Sequence, residues 1–401
     1  MTQNFNQTRL ARACCALAIF AALLGSTAPS PLYPYYLETL DLDKVVGTAI
    51  FSIYAAGALL ALFVSGKIGG QLEDLRKVII PGLALTALGA ALFAMADSLS
   101  LLLIGRFLNG FGTGAITGMA SAALFSIYPA EQRRTAAVLA TLSFTGGAAG
   151  GPILSSIALS LHFAPTVSPF IVIVLLSALA ATGLAVSHWP RKAPKPAPTI
   201  TANEPETGVH LPMFILACLV ICVAWMLGSI LMALGTDLGI SVYGLPSVAL
   251  AGLVPAIFQL FAGLGQFVWG RFPVEKAVFV GLLGMILAQI ALILAEPGGL
   301  GYVMLALMPI CGFCYGAAFV GSLGLANKSA TPDTREKYIA RFYVAGYLSN
   351  SIPTVMVGYV SDLWGLKMAF FFFSLVLIAI ALVGLGLLRK YRSDPVIAVQ
   401  V

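Results

Sequence analysis

Charge is what this chain has least of. Asp, Glu, Lys and Arg make up 9% of its 401 residues, against 59% hydrophobic ones, where a soluble domain carries roughly 25% charged residues. That scarcity excludes a large water-facing surface and puts most of the chain in lipid. Acidic side chains are missing from the middle of every long apolar run: each Asp and Glu falls in a gap or at a run's end, with Glu38 and Asp237 nearest to membrane depth. All six cysteines, Cys14, Cys15, Cys218, Cys222, Cys311 and Cys314, lie inside apolar runs, which excludes a structural disulfide in an oxidising outer loop. Cys311 and Cys314 form a C-x-x-C, but no His, Asp or Glu close by in sequence completes a tetrahedral site, so they are expected to be packing thiols and no metal is expected. Asn327-Lys328-Ser329 lacks the preceding Gly of a phosphate loop, and Gly110-Phe111-Gly112-Thr113-Gly114 has neither a preceding strand nor a suitably placed acid. ATP drive, a dinucleotide cofactor and an enzyme's equipment are therefore not expected, and the glycines read as close helix packing.

What the chain does have is a succession of long apolar runs. A spanning helix needs about 20 predominantly apolar residues. Runs of that kind lie at 12–34, 46–66, 78–96, 100–122, 134–160, 167–188, 212–235, 246–268, 276–295, 301–326, 338–360 and 366–388. They predict an all-α polytopic membrane protein with twelve transmembrane helices. Basic residues then alternate between sides. One set of gaps holds Arg9 and Arg12; Lys67, Arg76 and Lys77; Arg133 and Arg134; Arg191, Lys192 and Lys195; Arg271 and Lys276; Lys328, Arg335, Lys337 and Arg341; and Arg389, Lys390 and Arg392, while the opposite set holds only Lys44 and Lys367. Positive loops stay in the cytoplasm, so both termini are expected inside, in the inner membrane of a bacterial cell. The net charge of +6 is then a topology signal and requires no nucleic-acid partner. Arg9 and Arg12 before an apolar run, with Ser26, Thr27 and Ala28 after it, have the layout of a secretory signal. The later runs, and Pro29 directly after Ala28, argue instead for an uncleaved first helix.

The polar, Pro-rich stretch Trp189–Leu211 breaks this rhythm and reads as an extended cytoplasmic linker. It separates an N-terminal six-helix bundle, 1–188, from a C-terminal one, 212–401. Sliding one half about 202 residues along the other brings Gly110, Phe111, Gly114 and Ala115 onto Gly312, Phe313, Gly316 and Ala317, and Arg133 onto Arg335. Weak internal symmetry of this kind marks many secondary transporters, with the substrate site between the repeats.

Three segments carry a family likeness. The first run ends Leu24-Gly25-Ser26-Thr27-Ala28-Pro29-Ser30-Pro31-Leu32-Tyr33-Pro34. Its prolines either bend a helix that lines a cavity or end it at Pro29 in favour of an outer loop. The spacing L-G-x5-P-L-x-P resembles the first-helix motif of twelve-span drug/proton antiporters of the major facilitator superfamily. The loop Gly66-Lys67-Ile68-Gly69-Gly70-Gln71-Leu72-Glu73-Asp74-Leu75-Arg76-Lys77 resembles the superfamily's G-x-x-x-D-R-x-G-R-K at Gly70, Asp74, Arg76 and Lys77, though it is shorter and lacks the later Gly. In the family this loop latches neighbouring helices in one state of the transport cycle. Gly147, Gly151 and Pro152 are similar to the fifth-helix antiporter motif G-x-x-x-G-P, with Ser155-Ser156 where the motif has a later glycine pair. The resemblance implies two pseudo-symmetric six-helix bundles around a central cavity, a monomer, a small-molecule substrate and a proton counter-ion.

Arg106, in Gly105-Arg106-Phe107-Leu108-Asn109, is the one basic residue deep inside a run. Such a residue costs about 2.5–3.5 kcal/mol on insertion scales, so it faces a cavity or a partner and marks function, unless it snorkels to the interface. Its position resembles that of the fourth-helix arginine implicated in proton coupling. Candidate coupling and gating residues are thus Arg106, Asp74, Gly147, Gly151, Pro152, Asp237 and Glu38. A drug-like cavity is mostly aromatic and apolar with a few polar groups. Its candidates are Gln259 and Gln266, seven residues apart on one helical face, with Phe258; Tyr343, Tyr347 and Asn350; Tyr54, Phe144, Trp225 and Tyr315; and Tyr33 and Asn109. The expected job is export of a drug or metabolite by proton antiport. The alternatives are a proton- or sodium-coupled importer on the same fold and a non-transporting membrane sensor.

Overall fold

The structure, a computed structural model, describes residues 2–69, 72–187, 189, 210–331 and 334–393. Among them there is no strand. The long helices are α1 Thr2–Thr27, α2 Lys44–Gly69, α3 Arg76–Ala94, α4 Leu99–Ile127, α5 Arg133–Ser160 and α6 Ser168–Val186, then α7 Leu211–Ala233, α8 Leu253–Trp269, α9 Val274–Ala295, α10 Gly301–Ser329, α11 Arg335–Trp364 and α12 Leu366–Ser393. Helices are what apolar runs must form in lipid, because each backbone N–H and C=O then finds its partner within the segment.

Among the described residues, 11 helical segments are long and apolar enough to cross a membrane. The expected run 338–360 is not one of them, although it lies in α11, a helix of 30 residues. Ser349, Asn350, Ser351 and Pro353 dilute its apolar content. Of the linker expected over Trp189–Leu211, residues 190–209 lie outside the described residues, as does Gly70 of the loop between α2 and α3.

The chain divides into two compact units, Met1–Leu42 with Ala49–Ile200, and Asp43–Thr48 with Thr201–Val401. In the first, α1 packs on α4, α5 and α6, and α3 packs on α4 and α6. In the second, α7 packs on α10, α11 and α12, and α9 packs on α10 and α12. The same partners thus recur six helices later, the structural form of the repeat read in the sequence. Glycines make it close: a Cβ on Gly110 would strike the backbone of Tyr54 in α2, and one on Gly312 the backbone of Phe258 in α8. One turn on, Gly114 meets the Ala58 carbonyl and Gly316 that of Ala262.

Candidate functional site

The prolines neither merely bend α1 nor end the buried segment. Helix α1 stops at Thr27, a 3-10 turn runs over Ser30–Leu32, and a short helix, Tyr33–Thr39, follows. Ala28 and Leu32 are fully buried. In a 3-10 turn a carbonyl pairs with the N–H three residues on, and for Ala28 that residue is Pro31, which has none; Ser26 stands at the C-terminal end of α1, where carbonyls lack an intrahelical partner. Both carbonyls are taken by side chains of other helices: Arg106 Nη1 donates to Ser26 O at 2.5 Å, and Ser155 Oγ to Ala28 O at 2.7 Å. Gly151 comes against the same stretch, where a Cβ would lie 2.6 Å from Ala28 N and 2.7 Å from Leu24 O. Gly147 similarly admits Leu23 and the Phe20 carbonyl. The glycine stripe of α5 therefore faces α1 of its own unit.

Arg106 is 1% exposed. Its guanidinium lies 4.7 Å from the centroid of Tyr54 and 5.5 Å from that of Phe51, both in α2, an arrangement that stabilises a cation by the ring quadrupole. The Phe51 ring also meets Tyr33 edge-on at 6.5 Å. Tyr33 and Asn109 are each 3% exposed. Arg106 Nε, Asn109 Oδ1, Tyr33 Oη, Ser30 Oγ and Thr86 Oγ1 are all buried without a hydrogen-bond partner. Buried polar groups are rarely left so; of these, Asn109 lies one turn along α4 from Arg106, and Tyr33 packs on the same Phe51 ring as the guanidinium.

In the second unit the sequence's aromatic candidates meet. Trp225 is edge-on to Tyr347 at 4.8 Å and 6.4 Å from Tyr343. It is stacked at 6.4 Å with Phe319, which is stacked in turn with Tyr315. Tyr315 is edge-on to Phe258 at 5.1 Å. Gly346 and Gly228 make room, since a Cβ on either would come 3.0 Å from the ring of Trp225 or Tyr315. Trp225 Nε1 is a buried donor with no partner. Beside this, Thr354 Oγ1 is 2.7 Å from Ser229 Oγ and 2.7 Å from the carbonyl of Asn350.

The family model described as "Major Facilitator Superfamily" matches residues 15–354. The chain belongs to that superfamily. It is a family of membrane transporters and not of enzymes. Over 128 residues the chain is 32% identical to "Multidrug resistance protein MdtL" of Escherichia coli O139:H28 (strain E24377A / ETEC) and of Shigella boydii serotype 18 (strain CDC 3083-94 / BS512), a stretch covering 31% of this chain and 32% of each relative. It thus spans about a third of the length of the curated relatives it matches. Among solved structures it is similar to a bacterial homologue of the human lysosomal transporter Spinster in an inward-facing, unoccupied conformation, with TM-score 0.75, 16% identity and 97% and 99% of the two chains covered. It is also similar to the nucleoside transporter NupG, with TM-score 0.75, 15% identity and 94% and 99% covered. For the POT family transporter PepTSo the values are 0.76, 14%, 97% and 99%. At these identities the likeness is one of fold.

The remaining candidates fall apart from both clusters. In the loop before α3, Asp74 pairs with Arg76 at 2.8 Å, and Arg76 Nη1 donates to Leu184 O at 3.1 Å, in the last turn of α6, and to Ser187 O at 2.9 Å, just past it. Burial pushes the Asp74 carboxyl up, but hydrogen bonds from the Arg76 side chain and backbone N–H, with the charges of Arg76 and Lys77, outweigh it and hold the group below the usual carboxylate range. Asp237 is no solvated loop acid. Its side chain is 14% exposed, pairs with Lys44 in the segment Asp43–Thr48 of the same unit, and accepts from Ser241 Oγ at 2.6 Å. Asp362 there accepts the N–H groups of Lys44 and Val45, both at 2.9 Å. Lys367, the other basic residue of the sparse side, pairs with Glu296 at 2.5 Å. Glu38 is exposed, and so is Phe144, while Gln259, Gln266 and Asn350 are half-buried. Sequence reasoning missed Phe319, hidden in an apolar run, and Ser155, which looked like a departure from a glycine pair.

Proposed function

We propose that the chain is a secondary active exporter, moving a small organic compound, a drug or metabolite, out across the bacterial inner membrane in exchange for protons. The observation that carries this is convergence. Three of the four sequence features that resemble the superfamily, the prolines of α1, the arginine of α4 and the glycines of α5, meet at residues 24–31. A stretch of MdtL-like sequence accords with it, and the aromatic cluster around Trp225 is the kind of wall a drug-like compound needs.

In this reading twelve spans form two six-helix bundles with both termini and the linker over Trp189–Leu211 in the cytoplasm, and the protein acts as a monomer. Tyr33, Tyr54 and Asn109 line the substrate's path in the first bundle. Trp225, Phe258, Gln259, Gln266, Tyr315, Tyr343, Tyr347 and Asn350 line it in the second, and Phe144 adds ring surface. Arginine keeps its proton in proteins, so Arg106 acts in coupling through its charge, and proton binding falls to Asp237 or Glu38. Asp74, through Arg76, ties α3 to α6 so that they move as one.

Growth inhibition and intracellular accumulation, measured in cells with and without the protein over a panel of drugs, amino acids and metal chelators, test the proposal. Lower accumulation and higher tolerance of at least one compound are expected. Higher accumulation would make the chain an importer; binding without any change of flux would make it a sensor.

A further inference from the structure

Arg106 is a buried cation, and among the described residues it takes part in no ion pair. Its one hydrogen-bond acceptor is the neutral carbonyl of Ser26. The rings of Tyr54 and Phe51 soften the cost of the charge without cancelling it. Buried charges are normally paired, so the missing negative charge has to come from outside the unit's own side chains.

The groups beside the guanidinium say what kind of charge fits. Arg106 Nε and Tyr33 Oη, the latter on a ring that shares Phe51 with the guanidinium, are both able to donate, and both are buried and unused. Asn109 Oδ1 is the unused acceptor in the set, and its amide fills the space that a side chain at residue 25 would occupy, since a Cβ on Gly25 would come 2.7 Å from Asn109 Nδ2. Donors beside a fixed positive charge recognise an oxyanion, and a guanidinium presents a planar fork that matches a carboxylate. The flanking Tyr54 and Phe51 rings give an aromatic body something to lie against.

We propose that Arg106 is the anion-binding residue of the transport site and that the compound carried is an organic anion: a carboxylate or sulfonate on an aromatic or apolar frame. This rests on the transporter reading above. It also accounts for an arginine kept at a depth where the chain keeps no acid: the substrate supplies the counter-charge, and its arrival and departure switch the local field.

Equilibrium binding of radiolabelled 2-naphthoate and of its uncharged amide, 2-naphthamide, to the full-length protein in lipid nanodiscs tests this apart from any flux. The wild type should prefer the carboxylate by about tenfold or more, the worth of one charge-assisted interaction. Arg106→Gln should abolish that preference by lowering affinity for the carboxylate toward that for the amide, and Arg106→Lys, which keeps the charge and guards against a folding artefact, should retain part of it. Equal affinity for acid and amide in the wild type, absence of binding included, would overturn the proposal, as would a preference that survives Arg106→Gln. Displacement by chloride as effective as by unlabelled naphthoate would make this an inorganic anion site and likewise overturn it. None of these outcomes touches the exporter reading, which flux measurements decide.

Discussion

Arg106 Nη1 donates to the carbonyl oxygen of Ser26 at 2.5 Å, across 80 residues of sequence. Ser26 stands in the last turn of α1, where carbonyls lack an intrahelical partner, just before the proline-bearing turn over Ser30–Leu32. The end of one helix thereby supplies the acceptor for a cation in another.

Two opposing magnitudes bear on Arg106→Ala. Losing the donor leaves the Ser26 carbonyl unsatisfied at a cost of about 1–3 kcal/mol, while removing an intramembrane charge returns about 2.5–3.5 kcal/mol. The two nearly cancel, so the variant is expected to insert and fold as the wild type does, yet to lose active transport. Size-exclusion profiles and transport at equal expression check both halves; wild-type rates would reduce Arg106 to a structural residue.

The glycine stripe of α5 yields a sharper contrast. A side chain at Gly151 meets the backbone of Ala28 and Leu24, whereas one at Gly118 of α4 meets nothing within 4 Å. Gly151→Leu should destabilise the first unit by about 3 kcal/mol or more, as overpacking does, and Gly118→Leu should be near neutral. Thermal denaturation of the purified variants measures the difference. Equal melting temperatures would mean that α1 and α5 do not pack this closely.

Acid should loosen the loop before α3. Because the Asp74 carboxyl is held below its ordinary 3.8, its contribution to stability is complete above that value and is lost as pH falls through the lowered one. With the side chain 23% exposed, the contribution is about 1 kcal/mol or less. Asp74→Asn should therefore be slightly less stable than the wild type at neutral pH and indistinguishable from it once the wild-type carboxyl is protonated. Melting curves across an acid series read this directly, and a gap that widened on acidification would contradict it.

Sidedness can be checked at exposed positions in a cysteine-free background. Cysteine at Glu131, between α4 and α5, should be shielded from an impermeant reagent in intact spheroplasts, and cysteine at His162, between α5 and α6, should react. Reaction at both would refute the proposed topology.

Much of the architecture was legible because lipid imposes a simple rule: runs such as 134–160 and 276–295 reappear as α5 and α9, within two residues at each end. Extents were less legible where helices project beyond the apolar stretch, as α4 does to Ile127 and α12 to Ser393. The aromatic candidates of α7, α8, α10 and α11 converge because residues such as Tyr343 and Tyr347 share a helical face. Phe319 escaped notice because a phenylalanine in an apolar run carries no signal of what it faces. The pairing of Lys44 with Asp237 spans 193 residues, and no local pattern could announce it. Ser155 read as a missing glycine because its value lies in the Ala28 carbonyl, an acceptor set free by prolines in a different helix.

Proton-driven export is tested most directly by flux in everted membrane vesicles, using the compound against which the protein best protects cells. With the lumen acidified by respiration, the compound should accumulate inside, and nigericin, which collapses the pH gradient, should release it. Asp237→Asn and Glu38→Gln, run in parallel, assign the proton site: the variant that still binds but no longer accumulates carries it, and full coupling in both would move the site elsewhere while leaving export intact. Accumulation indifferent to nigericin, or movement only out of the vesicles, would contradict the account.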